Sequence, residues 1–296
     1  MRRRPSITIH APLMCLALLA GLVSGCDRRP APAAADRHAA TRPAQAVRRL
    51  AQYLRDDDLA GFARASVPPA LHARLDTAWR EGRSRWPLSE WPLGARLPQT
   101  LQALAAPDAA PRLQASFDRQ FAGADRELSA AAATLGVFGV NYVQREGDYS
   151  PAQRGHYAQV VQALSRWAMR APLGERVHAR ATIAQLTTAA RATRLNTPDA
   201  FAAAGMQGAL RQLGPFFASS KAVLRRYGLD LDGSLAALQA TLLQQTGDRA
   251  HVRLRYTLAG RQIDTVIALE RHDGRWYPSD GLRRAEAAAR QPAAPR

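Results

Sequence analysis

Residues 250–277, AHVRLRYTLAGRQIDTVIALERHDGRWY, break the helical periodicity of the chain and decide its fold class. Two runs within this stretch alternate inward-facing and polar positions, which is the period of a half-buried β-strand. The inward-facing positions are Val252, Leu254 and Tyr256 in the first run and Ile263, Thr265 and Ile267 in the second. A two-residue turn at Ala259-Gly260 or Gly260-Arg261 brings both sets onto one face of an antiparallel pair.

Two further turn signals extend this pair into a meander. Asp273-Gly274 is a strong hairpin signal that leads into Trp276-Tyr277, and Gly247-Asp248 can turn a strand over residues 239–246 into the same sheet. The sequence therefore predicts a small C-terminal antiparallel sheet of three to four strands, over about residues 239–278.

The residues before the sheet, about 43–237, are predicted to be helical. Asp58 can cap a helix, Ser150-Pro151-Ala152-Gln153 has the pattern of a capping box, and Thr197-Pro198-Asp199 repeats this start signal. Pro215 is expected to break or kink the helix that contains it. The predicted class is α+β, predominantly helical, with one domain over residues 43–282 and a disordered tail over 283–296.

The N-terminus has the pattern of an export signal. Three arginines follow Met1, and a short apolar run of about residues 11–23 is below the roughly 20 residues that span a bilayer. The run ends in Val23-Ser24-Gly25-Cys26, which resembles the lipobox of bacterial lipoproteins. The resemblance implies that residues 1–25 form a signal peptide, and that Cys26 carries a lipid anchor of acyl chains such as palmitate.

The residues after the lipobox bear on the location of the protein. Asp27 resembles the signal that retains enterobacterial lipoproteins in the inner membrane. This resemblance favours the periplasmic face of the inner membrane, with the outer membrane as the alternative. Residues 26–42 contain the lipidated cysteine and a Pro/Ala-rich stretch, which predicts a tether between lipid and domain.

Composition limits the possible chemistry. The only cysteines are Cys15, which lies within the signal, and Cys26, so the mature chain offers no thiol for a disulfide, a nucleophile or a metal. The formal charge is +17, and removing the three signal arginines leaves +14. Export argues against nucleic acid as the partner, so an envelope protein or an anionic envelope polymer is the expected partner beside the membrane.

A distant family resemblance concerns the two ends of the domain. The opening helical pair over Val47 to Phe62, with its Asp56-Asp57-Asp58 joint, and the closing meander over 247–277 are similar to the cone-shaped α+β fold of the nuclear transport factor two superfamily. The resemblance implies a cone-like pocket against the sheet. The helical middle, about residues 97–228, departs from that family, and no catalytic residue can be carried over.

No catalytic, metal or cofactor pattern is present. The sequence contains no HExxH, no Gly-x-Ser-x-Gly and no phosphate-binding glycine loop. Asp264 and Glu270 share one strand face with Arg253 and Arg255, which predicts cross-strand charge pairing at the surface.

One segment is unusually rich in tryptophan and arginine. The residues are Trp79, Arg80, Arg83, Arg85, Trp86 and Trp91. This combination could bind an anionic polymer or a headgroup layer, or it could pack a connector onto the domain. The packing account is favoured, and the segment is the candidate binding surface if the sequence shows one at all. The sequence favours a membrane-anchored, non-enzymatic interaction module, and the alternative is a small-molecule carrier or enzyme with a cone-like pocket.

Overall fold

The computed structural model describes residues 42–91, 94–146 and 149–292. The predicted signal peptide, Cys26, Asp27 and the tether before Arg42 lie outside the described residues. The described helices are α1 (Pro43–Arg55), α2 (Leu59–Ser66), α3 (Pro69–Arg80), α4 (Leu97–Ala105), α5 (Ala109–Gln120), α6 (Asp125–Arg145), α7 (Pro151–Ala168), α8 (Arg176–Thr193), α9 (Pro198–Arg226), α10 (Leu231–Ala236) and α11 (Ser279–Arg290). The strands are β1 (Gln239–Thr246), β2 (Arg249–Leu258), β3 (Arg261–His272) and β4 (Arg275–Pro278). The predicted α+β, predominantly helical class is confirmed.

The four strands form one antiparallel sheet in the order β1-β2-β3-β4. Val252 pairs with Ile267 and Tyr256 with Ile263, so the predicted register is confirmed. The turn between β2 and β3 is Ala259-Gly260, and both residues have positive φ, 50° and 76°. This is the backbone that two-residue hairpins require, and glycine adopts it without steric cost.

One face of the sheet is covered by helices along its length. Val252, Ile267 and Trp276 pack with Val47 of α1 in one apolar cluster. Tyr256 and Ile263 form another cluster with residues of α7, α9 and α10. Side chains from the helices therefore pack on the sheet face that would line the cone-like pocket implied by the family resemblance.

A helix side chain occupies the free edge of the sheet. β3 pairs with β4 over Leu269 to His272, and among the described residues no strand lies beside its first half on that side. Gln159 of α7 donates to the carbonyl of Asp264 at 2.9 Å and accepts from the amide of Asp264 at 3.0 Å. The side-chain amide thus takes the place of a neighbouring strand at this residue.

The main helical core lies between α1–α4, α8, α9 and α11. It centres on Trp79, Phe201, Met206 and Leu210, all fully buried. The predicted helix starts are confirmed. Asp58 accepts from the amide of Gly61, Thr197 accepts from that of Ala200, and Ser150 with Gln153 forms the capping box.

The interruption of α9 lies at Gly205, whereas the sequence placed a break or kink at Pro215. Gly205 has φ 64° and ψ 173°, and the helix continues through Pro215. A β-carbon at Gly205 would meet only the guanidinium of Arg80, the end of an exposed and flexible side chain, so glycine is favoured here mainly because the backbone has a positive φ. The amide of Met206 donates to Asp76 Oδ1 at 2.9 Å instead of to a helical carbonyl.

The prediction of a disordered tail from residue 283 is wrong for most of its length, because α11 runs to Arg290. Leu282, Ala285 and Ala288 are buried on one side of α11 and join the main core. Alanines form most of this apolar face, and they do not stand out in an alanine-rich sequence. Residues 293–296 lie outside the described part of the chain.

Candidate functional site

The structure places two of the three predicted surface tryptophans in the core. Trp79 is 0% exposed and donates through Nε1 to the carbonyl of Phe201 at 2.8 Å, and Trp86 is 3% exposed. Trp91 is partly buried, and its ring lies 6.1 Å from that of Phe217 in a stacked arrangement. Trp79 and Trp86 therefore do not belong to an exposed binding surface, and their burial agrees with the packing account that the sequence favoured.

The arginines of the same segment bind to the fold itself. The Arg85 guanidinium lies 5.3 Å from the ring centroid of Trp79 and donates to the Trp79 carbonyl at 2.9 Å, while burial lowers the pKa of Arg85. Arg83 pairs with Glu81 and donates to the carbonyl of Gln291, just beyond the end of α11, at 3.0 Å. Arg80 is the exposed member and pairs with Asp76 at 3.0 Å. The segment acts mainly as a connector between helices.

A second charged cluster surrounds Lys221 of α9, which is 3% exposed. Its amine donates to the carbonyls of Leu54 and Arg55 at 3.1 and 2.7 Å, at the C-terminal end of α1. It also pairs with Asp57 at 3.0 Å and with Asp232 of α10. A cation at the end of a helix stabilises its unpaired carbonyls, so Lys221 joins α1 and α10 to α9.

The acidic joint Asp56-Asp57-Asp58 has structural partners. Asp57 has φ 59° and faces Lys221; burial raises the pKa of its carboxyl, and Lys221 opposes that rise. Asp58 caps α2. Within the part of the chain that the structure describes, no group of three or more His, Cys, Asp or Glu side chains is arranged to hold a metal ion.

A third cluster connects α7 to the sheet. His156 Nε2 lies 2.8 Å from the hydroxyl of Tyr256, and both side chains are buried. Burial lowers the pKa of His156 to about 4 and raises the pKa of Tyr256. Near neutral pH both groups are therefore uncharged, and the contact between them is a buried hydrogen bond between neutral side chains.

The N-terminal turn of α7 meets α11 through polar side chains. Gln153 Nε2 donates to Asp280 at 2.7 Å, and Arg284 pairs with Glu90. Burial raises the pKa of Tyr157, which lies among these charges, to about 12, and burial also raises the pKa of Glu90 against the opposing effect of Arg284. These groups hold α7, α11 and the connector before α4 together.

Cross-strand charge pairing occurs at Asp264 as predicted. Arg253 Nη2 and Arg255 Nε lie 2.6 and 3.0 Å from its carboxylate. Both hydrogen bonds lower the pKa of Asp264, and the one from Arg253 has the larger effect. Glu270 differs from the prediction, because it is buried and lies 3.5 Å from His272 Nε2. It therefore does not contribute to a charged surface.

The most unusual surface belongs to α6, which sequence reasoning did not single out. α6 has 21 residues, of which Gly136 and Val143 are buried. It packs on α7 through small residues: a β-carbon at Gly136 would overlap the side chain of Ser165, and one at Gly139 would lie 3.0 Å from Val161. Several of the larger apolar side chains of α6 lie outside this contact.

Four large apolar side chains are exposed on α6. The exposed fractions are 54% for Leu135, 66% for Val137, 65% for Phe138 and 49% for Tyr142. The rings of Phe138 and Tyr142 lie one above the other, with centroids 6.3 Å apart. Scattered apolar residues are normal on a protein surface, but an aromatic pair beside a leucine on one helix marks a candidate interaction site.

The sequence signal for this surface is the stretch from Leu128 to Gln144, which contains no charged residue. The helix ends nearby in charged residues, among them Glu127 and Arg145. Across the described residues, no helix combines the length and hydropathy needed to cross a bilayer.

Comparison with known proteins finds no matching family model, no significantly similar curated protein and no significantly matching solved structure. The resemblances to bacterial lipoproteins and to the nuclear transport factor two superfamily therefore stay predictions.

Proposed function

We propose that this chain is a membrane-anchored envelope lipoprotein that acts as a non-enzymatic interaction module, with the outer side of α6 as its binding surface. The observation that carries the proposal is the exposure of Leu135, Phe138 and Tyr142 on a helix whose other side is already packed on α7. Water contact of this apolar area is unfavourable by about 25 cal/mol per Å², so covering it favours association.

The anchor follows from the sequence. Val23-Ser24-Gly25-Cys26 supports lipidation of Cys26, and Asp27 supports the periplasmic face of the inner membrane. Fifteen residues separate Cys26 from Arg42. Even if these residues are fully extended, the start of the domain lies within about 55 Å of the lipid anchor. The partner is then a component of the envelope.

The arrangement of the buried ionisable groups supports a non-enzymatic role. His156, Tyr157 and Tyr256 have pKa values displaced away from neutrality by burial. General acid–base catalysis favours the opposite, a pKa near the operating pH. The sheet face that would line a cone-like pocket is filled by α1 and α7, which disfavours the small-molecule alternative.

Intact-mass analysis of the protein from bacterial membranes tests the anchor. We expect a mass that begins at residue 26 and includes acyl chains, and we expect the Cys26→Ser variant to lose both the acyl mass and the membrane fraction. An unmodified mass, or a soluble protein, would contradict the proposed anchor.

Photo-cross-linking in living cells tests the binding surface. A photoreactive residue at position 138 should give discrete adducts. The same residue at position 188, which is exposed on α8, should not. Equal labelling at both positions, or none at position 138, would remove α6 as the binding surface.

A further inference from the structure

We infer that the outer side of α6 binds a second copy of this chain, through an antiparallel pairing of the two α6 helices about a twofold axis. The inference rests on the proposed function, because it takes the outer side of α6 as the binding surface and identifies the partner that binds there. It is carried by the spacing of the exposed residues and by the charges at the ends of the helix.

The exposed residues form a seam of heptad type. Ala131, Leu135, Phe138 and Tyr142 are separated by four, three and four residues, and all four are exposed. Positions with this spacing form one stripe along a helix, and such stripes pair with similar stripes on a neighbouring helix. We call these four residues the α6 seam.

The α6 seam is complementary to itself when one copy is reversed. An antiparallel pairing centred between Gly136 and Val137 places Ala131 opposite Tyr142 of the second copy, and Leu135 opposite Phe138. Each layer then combines a smaller with a larger side chain, which is the arrangement that fills space between helices. A parallel pairing would instead set Tyr142 against Tyr142 and Ala131 against Ala131.

The charges at the two ends of α6 agree with the reversed orientation. Glu127 and Arg145 are 18 residues apart, which is about five turns of helix, so both lie on the same side. Both are exposed, and neither has an ion-pair partner among the described residues. In the antiparallel pairing Glu127 comes next to Arg145 of the second copy at both ends, whereas a parallel pairing would bring like charges together.

The size of the contact predicts a weak dimer in solution. α6 is about 31 Å long and presents a face about 10 Å wide, so each copy buries roughly 300 Å². Stable interfaces bury about 1,200 Å² or more in total. A shared membrane anchor raises the effective concentration of the second copy, so co-tethered chains associate without a larger contact.

Single cysteines placed along α6 test the pairing in the full chain. Each is introduced with both native cysteines, Cys15 and Cys26, replaced by serine. Because this change also removes the anchor, the chains are treated with a short bis-maleimide cross-linker at high protein concentration, where a weak dimer forms in solution. Leu135→Cys and Phe138→Cys lie next to the axis and should cross-link to dimers. Ala131→Cys and Tyr142→Cys should not cross-link alone, but they should do so when the two variants are mixed.

Val137→Cys is the matched control. Val137 is as exposed as Phe138 and is its neighbour in sequence, but it points about 100° away around the helix. Equal cross-linking at Val137 and Leu135 would indicate non-specific association and would overturn the inference. Cross-linking of Ala131→Cys alone at the level of Leu135→Cys would indicate parallel pairing and would also overturn it.

Charge reversal provides an independent test by sedimentation. Glu127→Arg and Arg145→Glu should each weaken the dimer several-fold, and the double variant should restore it, because reversed charges again face each other. Phe138→Asp should weaken the dimer at least about thirtyfold. Failure of the double variant to restore dimerisation would contradict the antiparallel arrangement.

The remaining outcomes separate this inference from the proposed anchor. If the unmutated chain itself cross-links, a native cysteine carries a free thiol, and the proposed anchor is wrong. The dimer is still tested in that case, because the seam positions are compared in chains whose native cysteines are replaced by serine. A different set of results would show that the α6 seam binds a lipid bilayer. In that case the serine-background chain floats with phosphatidylglycerol vesicles, Phe138→Asp abolishes the flotation, and Leu135→Cys does not cross-link. The inference then fails.

Discussion

Lys221 Nζ lies 3.0 Å from the carboxylate of Asp57, in an ion pair that joins α9 to the joint between α1 and α2. The amine is almost completely buried, while Asp57 keeps 28% of its side chain exposed. The pair is thus a buried cation that meets its anion at the protein surface. Its main structural effect is that the C-terminal carbonyls of α1 face a positive charge.

We expect Lys221→Met to lower the free energy of unfolding by about 3 kcal/mol, because the change leaves buried carbonyls and two carboxylates without their donor. Urea unfolding followed by circular dichroism measures this loss. Arg225→Met, at an exposed position on the same helix, is the control and should change stability by no more than about 0.5 kcal/mol. Similar losses in both variants would show that the ion pair has no special role.

The buried imidazole of His156 predicts a specific pH dependence. Its pKa is about 4 in the folded state, below the value of about 6.5 expected for the unfolded chain. Between about pH 6.5 and 4 the unfolded state therefore binds more protons than the folded state. The part of the free energy of unfolding that depends on a neutral His156 is fully present above about pH 6.5 and is lost as the pH falls to about 4. The loss amounts to about 3 kcal/mol.

Unfolding free energies at pH 7 and pH 4.5, compared with those of His156→Gln, measure this contribution. The wild type should lose more stability than the variant over this interval. His251→Gln removes an exposed histidine from β2 and should behave like the wild type. A His156→Gln protein with unchanged pH dependence would argue against neutral burial of this side chain.

Two glycines in neighbouring helices predict opposite effects of the same substitution. Gly155→Ala on α7 should stabilise the protein by about 0.5–1 kcal/mol, since a β-carbon there meets no atom within 4 Å and alanine is the better helix former. Gly136→Ala should destabilise it by about 1–3 kcal/mol through overlap with Ser165. Thermal unfolding distinguishes the two, and Ser165→Gly should relieve the effect of Gly136→Ala. Equal effects at both glycines would argue against the close contact of α6 with α7.

Exposed and buried aromatic residues should respond differently to truncation. Phe201→Ala removes a fully buried ring and should cost about 3–5 kcal/mol. Phe138→Ala removes a ring that is 65% exposed, and should change the stability of the monomer by no more than about 0.5 kcal/mol. Denaturation at a concentration below that of dimer formation measures both. A large loss for Phe138→Ala would show that the ring supports the fold of the monomer.

Local sequence patterns predicted the elements whose signals are local. The alternation in β2 and β3, the two-residue turns and the caps at Asp58 and Ser150 each depend on residues close together in the chain. The missed features depend on distant residues. Trp79 reaches the carbonyl of Phe201, and His156 meets Tyr256 one hundred positions away. No local pattern shows such contacts.

The same reasoning explains the interruption of α9 and the error at α11. Pro215 carries the stronger local signal for a helix break, but the break occurs at Gly205, where Asp76 supplies the missing hydrogen-bond acceptor. The apolar face of α11 consists largely of alanines, whose burial is decided by the helices opposite them. The α6 surface was missed because an uncharged run in a helix is expected to be buried, and its exposure is a tertiary property.

The burial of Lys221 has a practical consequence for studies of this protein in its native state. The chain has forty arginines but one lysine, so its only side-chain primary amine is enclosed between α1, α9 and α10. An amine-acylating reagent can modify that side chain only when these helices separate. The labelling rate of a single atom, read by mass spectrometry, would therefore report how often this junction opens while the rest of the protein stays folded.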